Sequence, residues 1–139
     1  MENLSLETVR LDSETKNQFL TLKRRTGIEN WNVLARWAFC HSISDPTPIR
    51  KTQGTGTGAI EMSWKTFAGE YDAIYWALLL RRCEEEKTEL SRDAISEALR
   101  SHISRGAARM AGNRQMKGIS DFISMGTQTS YRSEHTGVY

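Results

Sequence analysis

From Ser5 to Asp12 apolar and polar positions alternate. Val9 and Leu11 lie on one side of an extended chain and Thr8 and Arg10 on the other, which predicts one short N-terminal strand. The period then lengthens. Asp12 or Ser13 caps a first helix, Glu14 lies in its first turn where the dipole favours a carboxylate, and Phe19 and Leu22 mark its apolar face. Gly27 stops it, and Ile28 is placed to fold back on Leu22 in a Schellman-type contact. Asn30 caps a second helix in which Trp31, Val33, Leu34, Ala35, Trp37, Ala38, Phe39 and Cys40 leave only Asn32 and Arg36 clearly polar. A helix so nearly apolar all round needs cover on several sides, more than a short chain supplies, so Trp31, Trp37 and Phe39 are expected to be buried, some of them between subunits of a homo-oligomer.

Between Ser44 and Met62 the periodicity dissolves into Pro46, Pro48 and the glycines at 54, 56 and 58, which predicts a flexible loop over 44–62. A third helix follows, with Trp64, Phe67, Tyr71, Ile74, Tyr75, Leu78, Leu79 and Arg82 on one buried stripe. Ser91 and Asp93 open a fourth, carried by Ile95, Leu99, His102 and Ile103 toward Gly106. Met116, Ile119, Phe122 and Ile123 mark a last amphipathic piece, and the stretch 126–139 has no apolar period and is expected to be disordered. The fold class expected is therefore mainly α, a single compact domain over 1–125 of four to five helices with one short N-terminal strand. Strand, helix and helix in that order is also the arrangement of ribbon-helix-helix DNA binders, in which Thr8 and Arg10 would read bases from a two-stranded ribbon formed with a second copy.

Composition adds little until charge is located. The chain has 139 residues and a formal net charge of +2, which excludes a general polycation. The cations are clustered, at Lys23, Arg24 and Arg25, at Arg50 and Lys51, and between Arg92 and Lys117, where Arg105 and Arg109 share a helix face. Each cluster has an ordinary reading as a solvated surface or helix terminus beside its reading as a phosphate-contacting patch. No apolar run is long enough to span a membrane and no leader pattern is seen, so a cytoplasmic protein is the expectation. Cys40 and Cys83 fall inside apolar helical patterns and read as buried free thiols. His41, His102 and His135 are scattered, no HxxxH, CxxC or GxSxG occurs, and the glycines at 54–58 lack the Lys and Ser or Thr of a phosphate-binding loop. The sequence thus implies no catalytic centre, no metal and no cofactor.

The blocks LKRRTGIENWNVLARWAFC, Leu22 to Cys40, and EMSWKTFAGEYDAIYWALLLRRC, Glu61 to Cys83, resemble the DndE family of DNA sulfur modification proteins, the likeness running from about Leu11 to Ile123. The resemblance implies a mainly helical protein that forms homo-oligomers, tetramers in the family, and binds duplex DNA with a preference for nicked duplex. It also implies work beside a cysteine desulfurase, a sulfur-transfer protein carrying an iron–sulfur cluster, and an ATPase. Lysine contacts to DNA in the family correspond here to Lys16, Lys23 and Lys51. With the basic clusters, the candidate DNA-binding residues are Arg10, Lys16, Lys23, Arg24, Arg25, Arg50, Lys51, Arg105 and Arg109.

Three functions compete: a non-catalytic DNA-binding subunit of the phosphorothioation machinery, a ribbon-helix-helix regulator reading one operator, and a thiol enzyme relaying sulfur through Cys40 or Cys83. Apolar surroundings raise a thiol pKa and limit access, which disfavours the last.

Overall fold

The computed structural model describes residues 4–50 and 58–113, together with Ile123. Lys51, most of the Gly54–Ala59 segment, the amphipathic piece at Met116 to Phe122 and the stretch 126–139 lie outside the described residues.

The order is β1 (Thr8–Leu11), α1 (Ser13–Thr26), α2 (Trp31–Ile43), β2 (Ile60–Ser63), α3 (Trp64–Ala68), a 3-10 turn (Gly69–Tyr71), α4 (Asp72–Glu85) and α5 (Arg92–Gly112). The helical class holds. The local signals act where they were expected: the Asp12 carboxylate accepts from the Thr15 amide at 2.8 Å, and Ser91 Oγ accepts from Ala94 at 3.2 Å. Gly27 ends α1 at φ 77°, its amide donating to the Lys23 carbonyl at 2.9 Å. The Ile28 amide bonds Thr26 Oγ1 at 3.1 Å, so the cap is the simpler left-handed form instead of a Schellman pair. Asn30 precedes α2 but makes no side-chain cap.

A second strand departs from the sequence reading. Ile60–Ser63 pairs antiparallel with β1, Thr8 opposite Ser63 and Arg10 opposite Glu61, so the loop expected over 44–62 gives way at Ile60 to a strand. The intersubunit ribbon required by the ribbon-helix-helix reading is replaced by a ribbon made within one chain. Its outer face carries Glu61 beside Arg10, at 3.5 Å, where a base reader would have to approach phosphate. Val9 and Leu11 turn inward, 1 % and 2 % exposed.

Long α5 is the axis of the core. It packs most extensively on α2 and also meets α1, α4 and β1. The helix expected to run toward Gly106 continues through it to Gly112. Gly106 is there because α5 crosses α2 against the backbone of Ala38, where a Cβ would collide with the Ala38 carbonyl. On α2 the fully enclosed residues are Leu34, Ala35, Ala38, Phe39 and Ser42, a single stripe facing α5 and α3. The single helix expected from Trp64 to Arg82 is interrupted at Gly69, φ 65°, because the chain turns after α3. Phe67, Leu79 and Arg82 are buried as the stripe predicts, but Tyr71, Ile74 and Leu78 beyond that turn are exposed, at 59 %, 57 % and 37 %.

Candidate nucleic-acid interface

At 100° per residue, Lys16, Leu20, Lys23 and Gly27 fall within about 60° of one another on α1, with Arg24 at the margin. Leu20, Lys23, Arg24, Gly27 and Glu29 line an open recess of about 400 Å³ beside the end of the helix. Arg24 is exposed and ion-paired with no described residue, and Lys16 lies half-buried one helical turn before Leu20. Lys23 is partly held: its Nζ sits 5.3 Å from the centre of the Trp31 ring, which in turn stacks on Phe19 at 6.3 Å. The ammonium is thereby steadied at the rim of the recess, with Trp31 half-buried beneath it.

The third member of the basic run turns away. Arg25 lies on the opposite side of α1, where its Nη1 donates to the Ala111 carbonyl at 2.8 Å and to that of Asn113 at 3.4 Å. It closes the C-terminus of α5, and the cation suits that end of the helix dipole.

Arg105 and Arg109 do share a face, as their spacing predicts, but that face is occupied by the chain's own backbone. Arg105 donates to the carbonyls of Ser42 at 2.7 Å, Thr47 at 2.8 Å and Asp45 at 3.4 Å. Arg109 pairs with Asp45 at 2.5 Å. The hydrogen bonds from the Thr47 amide and from Arg109 hold the Asp45 carboxyl well below the usual carboxylate range. Arg82 joins them, donating to the carbonyls of Ile43, Asp45 and Thr47 at 3.1, 2.6 and 2.9 Å. Three arginines on two helices therefore bind segment 42–47. Arg50, just beyond, is exposed and pairs with no described residue.

Of the nine candidate cations, the structure brings Lys16, Lys23 and Arg24 together on α1. It commits Arg25, Arg105 and Arg109 to internal bonds and pairs Arg10 with Glu61 across the ribbon. Of the three candidate interface residues, Phe39 is a correction. It is 0 % exposed, packed edge-on to Phe67 and against Tyr75 of its own chain, so it has no surface to offer a second subunit. Trp31 and Trp37 remain half-buried.

Sequence reasoning missed a buried polar line. Ser42 Oγ lies 2.8 Å from His102 Nδ1, and His102 Nε2 lies 3.2 Å from Glu86 Oε1. The order resembles a hydrolase triad, but Ser42 and His102 are 0 % exposed and the serine oxygen already accepts from Arg105 Nε at 2.8 Å, so no substrate reaches it. The i, i+4 spacing of Arg82 and Glu86 was the one local signal; their partners lie on other elements.

Cys83 is enclosed. Cys40 forms the wall of a second recess, about 230 Å³, with Val33, Arg36, Trp37 and Tyr75. Burial pushes its thiol up against the opposing effects of Tyr75 and Arg36, and burial together with the Cys40 contact pushes the Tyr75 hydroxyl up to about 12. That is the opposite of an activated nucleophile. Among the described residues no group of three or more His, Cys, Asp or Glu side chains is arranged to hold a metal, and no helix is long and apolar enough to cross a membrane.

Comparison with known proteins adds an independent line. The family model described as DNA sulphur modification protein DndE matches residues 8–118. No curated protein matches. Among solved structures, DndE from Escherichia coli B7A, involved in DNA phosphorothioation modification, is similar with a TM-score of 0.62 and 24 % identity, covering 73 % of this chain and 94 % of that one. A DndE mutant involved in DNA phosphorothioation is similar with a TM-score of 0.60 and 23 % identity, covering 75 % and 95 %. At these identities the likeness establishes the fold.

Proposed function

This chain belongs to the family of the DNA sulphur modification protein DndE, and we propose from that premise that it serves DNA phosphorothioation as a DNA-binding subunit with no reaction centre of its own. One observation carries the reading: Lys23 and Arg24 line an open recess at the end of α1, with Lys16 about two turns earlier on the same side of the helix, while most other candidate cations are taken up by internal bonds. Cations spread along one side of a helix track a phosphate backbone without reading bases, and their affinity falls steeply with salt. The sheltered thiols favour this over sulfur relay.

The subunit acts as a homo-oligomer, which repeats these cations in each copy and so enlarges a local charge that the net +2 does not reveal. Exposed Tyr71, at the end of the 3-10 turn, and exposed Ile74 and Leu78 of α4 form the apolar contact between copies, in place of the enclosed Phe39. The sulfur-transfer iron–sulfur protein and the ATPase of the same machinery are its further partners.

The test is binding to intact, nicked and single-stranded DNA across a salt series, for the parent and for Lys23→Gln with Arg24→Gln. Removing one cation from a phosphate lowers the slope of log affinity against log salt by about 0.9 and weakens all sequences alike. A double variant that binds like the parent at every salt concentration would reduce these cations to an ordinary helix terminus. Tighter binding to nicked than to intact duplex would extend the reading to strand breaks.

A further inference from the structure

Ser42 of α2, Glu86 just after α4 and His102 of α5 meet in a hydrogen-bond chain whose two ends have fixed polarity. A guanidinium only donates and an ionised carboxylate only accepts. At one end Arg105 Nε gives its proton to Ser42 Oγ, 2.8 Å away. At the other, Glu86 Oε2 receives Arg82 Nε at 3.0 Å and the Ile49 amide at 3.0 Å, leaving Oε1 to accept from His102 Nε2. Within the line, the Ser42 hydroxyl hydrogen then goes to His102 Nδ1, 2.8 Å away. One imidazole form completes the chain, neutral, with its hydrogen on Nε2 and Nδ1 bare.

The same arginines and the same carboxylate are the anchors of segment 43–50. Arg82 and Arg105 hold the carbonyls of Ile43, Asp45 and Thr47, and Glu86 holds the amide of Ile49, the residue before Arg50. We propose that Ser42, Glu86 and His102 form a proton-sensitive clasp on segment 43–50, closed while His102 is neutral and opened by a proton on Nδ1. That proton points at the hydroxyl hydrogen, so Ser42 must turn its hydrogen out of the line while its oxygen still accepts from Arg105. It also adds charge where charge is already unbalanced. The ionisable groups facing His102 are Arg82 and Glu86 from the α4 side and Arg105 from its own helix; α2 contributes neutral Ser42 and the Phe39 ring at 6.4 Å. Arg109 lies further along α5, matched by Asp45. Among the described residues Glu86 is the one carboxylate touching His102, and Arg82 already neutralises it. Burial, with Arg82 and Arg105, holds the His102 pKa below the ordinary imidazole value despite Glu86.

The experiment uses the full chain and two readouts. Long-range nitrogen–proton NMR correlation reports the form of the His102 ring, and amide exchange, corrected for its intrinsic pH dependence, reports the opening of segment 43–50. The ring should carry its hydrogen on Nε2 at pH about 7.5. Protection of Ile49 and its neighbours should then fall on acidification to about 5.5, by up to about tenfold per pH unit once open-state His102 takes up the proton. Amides in the middle of α5 should keep their protection. In His102→Gln the pH dependence of the segment should flatten. A ring protonated on Nδ1 at neutral pH, or a segment that opens with the same pH profile in His102→Gln, overturns the proposal. Should that variant fail to fold, the parent decides alone: the His102 titration and the Ile49 amide shift must share one midpoint, and separate midpoints overturn it.

Discussion

The Cα of Gly106 faces the carbonyl of Ala38 so closely that a methyl group at residue 106 would overlap it. Both partners are backbone of buried helices, so neither yields by a side-chain rotation. Gly106→Ala must push α5 off α2 and loosen the packing of Leu34, Phe39 and Ile103, and is expected to cost about 1–3 kcal/mol or more. Nothing lies within 4 Å of a Cβ at Gly112, at the end of the same helix. Gly112→Ala should therefore be neutral or stabilise by up to about 1 kcal/mol, as helix propensity directs. Urea unfolding followed by circular dichroism separates the two. Equal midpoints for both variants would contradict the crossing.

Arg82 and Glu86 form an ion pair with side chains only 7 % and 8 % exposed. Removing the arginine takes the charged partner from Glu86 and one donor from each of the carbonyls of Ile43, Asp45 and Thr47, and breaking such a buried pair costs about 3–5 kcal/mol. Arg82→Gln should lower the unfolding midpoint more than the exposed-pair variant Arg81→Gln, whose partner Glu85 is 58 % exposed.

The same pair shapes the acid limb of the stability curve. Burial alone would raise the Glu86 pKa, but the Ile49 amide, Arg82 and His102 outweigh it and hold it below the ordinary value. The unfolded chain therefore takes up this proton first as pH falls. The stabilisation is full above the unfolded carboxyl value of about 4.3 and is lost as pH falls through the lower folded value. Glu86→Gln, compared with the parent by thermal unfolding from neutral pH to about pH 3, should flatten that limb; an unchanged limb would place the acid sensitivity elsewhere.

Cys40 and Cys83 are packing residues on this reading, one at the wall of a recess and one enclosed. Replacing both by alanine should cost about 1 kcal/mol per site through looser packing, yet leave phosphorothioate formation in cells intact wherever the protein accumulates normally. Loss of the modification with folding and assembly unchanged would restore a sulfur-relay role.

The exposed apolar face of α4 predicts its own outcome. Ile74→Lys with Leu78→Glu should reduce the mass measured by light scattering while leaving helical content unchanged, because both side chains already face solvent within one chain. A parent that is monomeric at micromolar concentration would refute the oligomer; an unaltered mass in the variant would move the contact to another face.

Local chemistry was legible in the sequence. Asp12, Ser91 and Gly27 fix helix ends through bonds to residues three or four positions away, and Phe19, Leu22, Leu79 and Ile103 fall inward by spacing alone, so their roles need no knowledge of the rest of the chain. The role of a cation was not legible, because it depends on what stands opposite a long side chain. Lys23 and Arg25 are two residues apart, yet one edges an open recess and the other closes α5. Arg105 and Arg109 look like a basic stripe until segment 42–47 folds over them. Gly106 reads as a helix stop and serves as a crossing point, since spacing along a chain reveals which face a residue occupies but not how near another backbone will come. The partner of β1 and the line from Arg105 through Ser42 and His102 to Glu86 were decided only by tertiary structure. Each joins residues from elements far apart in sequence, and only the closing of the core onto α5 brings those donors and acceptors within bonding distance.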